Sequence, residues 1–283
     1  DESESRGLGD VYKRQQYDTQ VLSSINRGTN KVRRALEVAN QKIGQNFIGA
    51  RLNTRSSALV NTLTSVRQGQ VNRDRYIKMY QKPKVRAAFA FAVDGSDSMN
   101  YNAGCPAGTY WKECISLTHG LHTACQGIGV DSASALVMYT YGDRDVPMAS
   151  SNYKPVANMI KGFGDKWQRD NPDKLRKKRC SGGTSIICYA ETALDLVAQS
   201  DATHKIAFFL TDGEDYEKAY LESMRQQALA QGIKLVGIGL GVSGDRLPNG
   251  ISGSSALEIA PRMMDHLEKI IKSSTGIEAN DKS

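Results

Sequence analysis

The apolar residues of the chain fall into two patterns. Phe89–Val93 is apolar without alternation and stops at Asp94; Phe208–Leu210 does the same before Thr211 and Asp212, and Leu235–Leu240 is a third run broken only by glycines. A strand buried on both faces shows no alternation, so these runs read as strands of a parallel sheet. The predicted strands are Lys84–Val93, Ala133–Tyr141, His204–Thr211 and Lys234–Leu240, and the second can form a hairpin with Val146–Ala149. Between them, apolar residues recur at the three- and four-residue steps of amphipathic helices. Helices are predicted from the Thr109 cap to Cys125, at Val156–Ile160, and over Thr184–Ser200, Tyr216–Gln231 and Pro261–Lys272. Strands alternating with helices imply an α/β fold: a doubly wound, mainly parallel sheet flanked by helices, with right-handed crossovers.

Before the first strand the pattern is helical only. Val21, Ile25, Val32, Leu36, Ala39, Ile43 and Phe47 define an amphipathic helix, or two interrupted at Gly28. Further helical stretches are expected at Ser56–Val66 and Arg73–Tyr80, punctuated by Gly69 and Pro83. The predicted organisation is an N-terminal helical extension over 16–83, an α/β domain over 84–273 and a frayed tail over 274–283. The extension is expected to pack on the domain that follows, the alternative being a docking arm for a partner. Residues 1–15 carry no usable period, and Gly9–Gln15 looks like translated adaptor sequence. They are read as artefactual or disordered and set aside.

At 283 residues the chain is long enough for a sizeable core. A net charge of +7 and a pI near 9.1 are compatible with acidic partners or nucleic acid without establishing either. No stretch reaches the roughly 18 apolar residues of a membrane span, and no apolar segment follows the N-terminal charges, so a cytoplasmic protein is expected. The five cysteines have no paired spacing and read as reduced thiols. Cys180 follows Lys177, Lys178 and Arg179 but has no evident His partner to make it a nucleophile. His119, His122 and Cys125 make a weak metal trio and are read as ordinary helix surface.

The candidate chemistry sits where the strands end. Asp94-Gly95-Ser96-Asp97-Ser98, Ser181-Gly182-Gly183-Thr184-Ser185 and Thr211-Asp212-Gly213-Glu214 would meet at the carboxyl edge of the sheet, where open α/β sheets bind ligands. Two carboxylates there repel unless one takes a proton or a cation lies between them. Asp94, Asp212 and the hydroxyls of Ser96, Ser98 and Thr184 form an all-oxygen set suited to Mg²⁺ or Mn²⁺. Neutral hydroxyls leave such a cation under-neutralised and electrophilic towards an outside carboxylate. The basic segment Gly162–Cys180 precedes the Gly182-Gly183-Thr184 loop and offers a solvated loop, an acidic-partner surface or phosphate contacts. A phosphohydrolase with Asp94 as nucleophile would need a second acid at position 96, which is Ser96.

With these residues in this order, the chain resembles the von Willebrand factor A (integrin I-like) domain with its metal-ion-dependent adhesion site. The family's Asp-x-Ser-x-Ser loop falls on Asp94, Ser96 and Ser98, its Thr on Thr184 and its distal Asp on Asp212, over roughly Lys84 to Ser273. Asp97 stands where many members have Gly. The resemblance implies a metal-dependent interaction module whose Mg²⁺ or Mn²⁺ is bridged by an Asp or Glu of a protein partner. More finely, Gln68–Arg73 and the Val236–Leu240 strand followed by Gly244–Arg246 look like the C-terminal part of the cobaltochelatase CobT subunit and its short phage relatives. That likeness implies a non-catalytic subunit working with a AAA+ ATPase. The competing expectation is an A domain of ribonucleoprotein type, using residues 166–179 on RNA.

Overall fold

A computed structural model describes residues 2–53, 86–101, 104–141, 153–168, 170–213 and 218–274. The predicted helices at 56–66 and 73–80 and the hairpin strand at 146–149 lie outside them. Six strands form one sheet: β1 (Ala87–Asp94), β2 (Asp131–Tyr141), β3 (Tyr153–Lys161), β4 (His204–Thr211), β5 (Ile233–Leu240) and β6 (Ile251–Gly253). Their spatial order is β3-β2-β1-β4-β5-β6, and every neighbouring pair is parallel except β2 with β3. The chain winds outward from β1 to β3, then crosses back to β4 on the other side of β1. That reversal opens a crevice at the carboxyl ends of β1 and β4.

The helices are α1 (Glu2–Asn53), α2 (Tyr110–Ile128), α3 (Asn171–Arg176), α4 (Ile186–Ala198), α5 (Lys218–Ala230) and α6 (Ala256–Ser274). The pleat sends alternate residues of an apolar run to opposite faces. Phe89, Phe91 and Val93 enter the core shared with α1, α2 and α6, where Phe91 stacks on Phe208 with centroids 5.2 Å apart. Ala88, Ala90 and Ala92 face the other way, and their small side chains admit Tyr189, Ala190 and Ala193 of α4. The sheet is thus covered on both faces, the condition that continuous apolar strands require.

The N-terminal helix is one unbroken element of 52 residues, not two interrupted at Gly28. Gly28 is a crossing point: a Cβ there would lie 2.4 Å from Met264 Cβ on α6. Val21, Ile25, Val32, Ala35 and Ala39 are buried, and α1 packs along α2 and α6. Its polar side chains are tied down as well. Tyr17 donates to Glu113, Ser116 donates to Asp18 (2.6 Å), and Arg176 of α3 pairs with the other oxygen of Asp18. The span from Tyr17 to Ala39 is therefore a layer of the domain, and the helix also runs through residues 2–15, which have no period of their own.

Two further elements depart from the sequence reading. Val156–Ile160, predicted as a short helix, belongs to strand β3 at the sheet edge, leaving Val156 and Met159 exposed. A five-residue stretch, apolar but for Asn158, does not discriminate helix from strand, and only pairing with β2 settles it. Helix α6 starts at Ala256, before Pro261, which lies inside it. At the start, Glu258 accepts from Ser254 N–H (2.9 Å), while Ser255 C=O accepts from the backbone N–H groups of Glu258 and Ile259. Among the described residues no helix is long and apolar enough to cross a membrane.

Candidate metal centre

The end of β1 delivers Asp94 into the sheet rather than into solvent. Its carboxylate is fully buried; Oδ1 accepts from Ser96 N–H (2.7 Å) and Oδ2 from Thr211 Oγ (2.7 Å). Ser98 Oγ donates to Asp212 Oδ1 (2.9 Å) and lies 2.9 Å from Ser96 Oγ. The two serine hydroxyls form a chain that reaches Asp212. Four of the five candidate ligands, Asp94, Ser96, Ser98 and Asp212, thus converge through direct bonds or their own loop.

Thr184 joins from the third loop. Its Cγ2 borders Gly213, where an added Cβ would come within 2.8 Å of it, so a glycine is needed beside Asp212. Backbone bonds lock the loops to one another: Asp97 N–H donates to Gly182 C=O (3.2 Å) and Ser181 N–H to Gly95 C=O (2.8 Å). Asn100 Nδ2 adds a bond to Cys180 C=O (2.7 Å). Thr184 itself is exposed, on the rim of the group.

The electrostatics of this group are unfinished. Burial pushes the Asp94 carboxyl up, opposed by hydrogen bonds from Ser96, Thr211 and Tyr189. Asp212 is pushed up to about 6, first by burial and then by the charge of Asp94. Among the described residues no cationic side chain contributes to holding either carboxylate ionised. Two acids in one crevice, bridged by neutral hydroxyls and without a counter-charge, fit a small divalent cation. The oxygen-only donors match Mg²⁺ or Mn²⁺, and fewer carboxylates than a dedicated Ca²⁺ cage supplies match an ion that keeps waters. Among the described residues no group of three or more His, Cys, Asp or Glu could hold a metal, so a site here depends on its hydroxyls.

Thr211, Tyr189 and Asn100 were not singled out from the sequence. Thr211 had a signal, since it sits between the apolar run and Asp212. Tyr189 reaches Asp94 from inside α4, and nothing in the sequence relates the two. Asp94, with both oxygens engaged and no exposure, is not presented as a nucleophile.

The histidines of α2 are not surface residues as expected. His122 is fully buried between two β2 hydroxyls, with Nδ1 2.8 Å from Ser132 Oγ and Nε2 2.7 Å from Ser134 Oγ. Burial holds it well below the ordinary imidazole range. Half-buried His119 accepts from Trp167 Nε1 (2.8 Å). The same contact removes Trp167 from the surface of the basic segment, where Lys174 pairs with Asp170 and Arg176 with Asp173 and Asp18. With Trp167 buried, residues 166–179 present no exposed aromatic side chain for base stacking among the described residues. All five cysteines are free, and Cys180 is buried with its thiol pushed up to about 12, chiefly by burial, which leaves it inert as a nucleophile.

No protein-family model and no curated protein matches the chain. Solved structures do. The PilB minor pilin from Streptococcus sanguinis aligns at a TM-score of 0.49 and 13% identity, covering 69% of this chain and 63% of that one. The pilus adhesin SpaC from Lactobacillus rhamnosus GG aligns at 0.46 and 14%, covering 68% of this chain and 31% of the adhesin. Proximal thread matrix protein 1 from the mussel byssus, solved with a zinc-occupied MIDAS motif, aligns at 0.41 and 18%, covering 67% and 46%. This chain therefore spans about a third of the adhesin and under two thirds of the pilin. At such distances the chemistry of the site stands on this chain's own residues.

Proposed function

We propose that the chain is a metal-dependent protein-interaction module of von Willebrand factor A type. Asp94, Ser96, Ser98, Thr184 and Asp212 would hold Mg²⁺ or Mn²⁺, and a partner's Asp or Glu would complete the coordination. The observation that carries this reading is the pair of carboxylates raised towards their protonated forms, joined by the Ser96–Ser98 hydroxyl chain at the switch point of the sheet. The cation supplies the missing positive charge and a position at which an outside oxygen can bind. The chain's own residues supply the rim: Tyr101 is 64% exposed three residues after Ser98, an aromatic anchor of the kind that dominates interfaces. Lys177, Lys178 and Arg179 are exposed on the approach to the Ser181–Thr184 loop and favour an acidic partner surface.

In its finer form the reading takes a AAA+ ATPase as that partner, with the chain as a non-catalytic subunit of cobaltochelatase CobT type. It rests on the stretches Gln68–Arg73 and Val236–Arg246; the first lies outside the described residues and the second is β5 with the turn that follows it. Five free thiols suit a reducing compartment, and a cytoplasmic setting belongs to the same reading.

The test uses Mn²⁺ as probe and the relaxation of water protons as readout. Bound Mn²⁺ with an open position enhances relaxation, and a short Glu-containing peptide should lower that enhancement as its carboxylate displaces water. Enhancement that the peptide leaves unchanged, at concentrations where Mn²⁺ stays bound, would contradict carboxylate bridging.

A further inference from the structure

The opposite end of the sheet holds a second polar site. Ser132 and Asp131 open β2 beside Phe89 and Ala88, whereas Asp94 lies beside Val137. Six residue steps along the strand separate Ala88 from Asp94, about 20 Å at roughly 3.3 Å per residue. Here a cavity of about 280 Å³ is lined by Gln126, Asp131, Ser132, Lys161, Asp165 and Lys166, among others. Lys161 closes strand β3, and its side chain is only 5% exposed. A buried ammonium is costly unless its charge and all three donors are met. Lys161 Nζ donates to Ser132 C=O and to Gly162 C=O (3.1 Å), both neutral acceptors.

The nearby carboxylates compensate it poorly. Asp131 Oδ1 stands 4.0 Å from Nζ and already accepts from Ser132 N–H (2.9 Å) and Gly164 N–H (3.2 Å). Asp165 Oδ2 accepts from Gly162 N–H (2.9 Å) and so braces the turn after β3. His122 and Ser132 hydrogen-bond each other and leave His122 no role as a counter-ion. Lys166 adds a second cation, exposed at the cavity's edge. The two lysines balance the two carboxylates of the lining, and the buried ammonium keeps one donor with no acceptor among the described residues nearer than the Asp131 oxygen at 4.0 Å.

We infer that this cavity is a small-anion site, anchored by Lys161 and supported by Lys166, that takes a carboxylate or phosphate group. It shares no residue with the metal centre and does not depend on the function proposed for it. A ligand bearing such a group gains a charge-assisted hydrogen bond in a desolvated setting, about twice as strong as a neutral one.

The test is an amide chemical-shift titration of the whole chain with sodium phosphate and, separately, sodium acetate, at constant ionic strength in chloride. Saturable shifts centred on Ser132 and Gly164 are expected with at least one anion, and the responding anion identifies the group. Lys161→Met keeps the stem and removes the charge; replacing a buried ion by an apolar side chain is often neutral or stabilising, so it should fold. It should weaken binding about tenfold or more, and Lys166→Ala about two- to fivefold, as expected for a buried and an exposed contact. Absence of saturable shifts with both anions overturns the inference, as does unchanged affinity in Lys161→Met. Should that variant not fold, unchanged affinity in Lys166→Ala overturns it instead.

Discussion

Two carboxylates of this fold are equally buried and differently finished. Glu113, on the first turn of α2, accepts from Tyr17 of α1, from Ala107 N–H (2.8 Å) and from Ala256 N–H at the start of α6 (2.8 Å). Asp94, at the end of β1, accepts from Ser96, Thr211 and Tyr189 and yet faces a second acid, Asp212. Three donors brought by three segments make Glu113 a structural clamp. Asp94 has its donors too, but the acid beside it leaves the pair uncompensated, and the charge it shares with Asp212 is what a cation would offset. Burial alone does not distinguish a strut from a binding site; the inventory of donors and neighbouring charges does.

That contrast breaks first at Glu113. Glu113→Ala strands three donors, and at roughly 1–3 kcal/mol for each unsatisfied buried group, a loss of about 4 kcal/mol is expected in urea unfolding. Asp94→Asn should do the reverse. It removes a buried charge without changing shape, so the metal-free midpoint should hold or rise, while Mg²⁺ affinity falls about a hundredfold, roughly 3 kcal/mol, in calorimetric titration. If Glu113→Ala is harmless and Asp94→Asn unfolds the chain, the two roles have been assigned the wrong way round.

The next effect is a pH dependence. Asp212 titrates near 6 in the metal-free fold, above its unfolded value, so its ionisation disfavours that fold and metal-free stability from this group declines as pH rises through about 4 to 6. Metal binding needs the ionised form and releases the proton, so affinity should fall about tenfold from pH 7 to pH 5. Affinity flat across that range would mean Asp212 is not a ligand. The smallest effect belongs to the clamp. Tyr17→Phe removes one donor from Glu113, and about 1 kcal/mol of stability should go with it, leaving metal affinity unchanged.

Much of this architecture was readable from the chain because β1, β4 and β5 are buried on both faces, and such strands announce themselves as uninterrupted apolar runs. The candidate site residues could be picked out because Asp94 and Asp212 close two of those runs, Ser96 and Ser98 follow in the loop after Asp94, and Thr184 follows a glycine pair. What escaped depends on contacts distant in sequence. The continuity of α1 through Gly28 comes from its crossing with Met264, and the burial of His122 from Ser132 and Ser134 on the next strand. Strand β3 looked helical because it is an edge strand with Val156 and Met159 exposed, so its short stretch, interrupted by Asn158, shows no clear alternation. β6 is three residues long, too short for any period to register. Glu113 looked like an ordinary helix-start acid, and only the fold brings Tyr17 and Ala256 to it.

The central claim is that Asp94 and Asp212 share a divalent cation through the serine hydroxyls. It is tested most directly by calorimetric titration of Mg²⁺ and of Mn²⁺ into metal-stripped protein, beside the Asp212→Ala variant. The account predicts one-to-one binding in the natural chain and its loss in a variant that remains folded. Equal binding in both, or none in the natural chain, would contradict it.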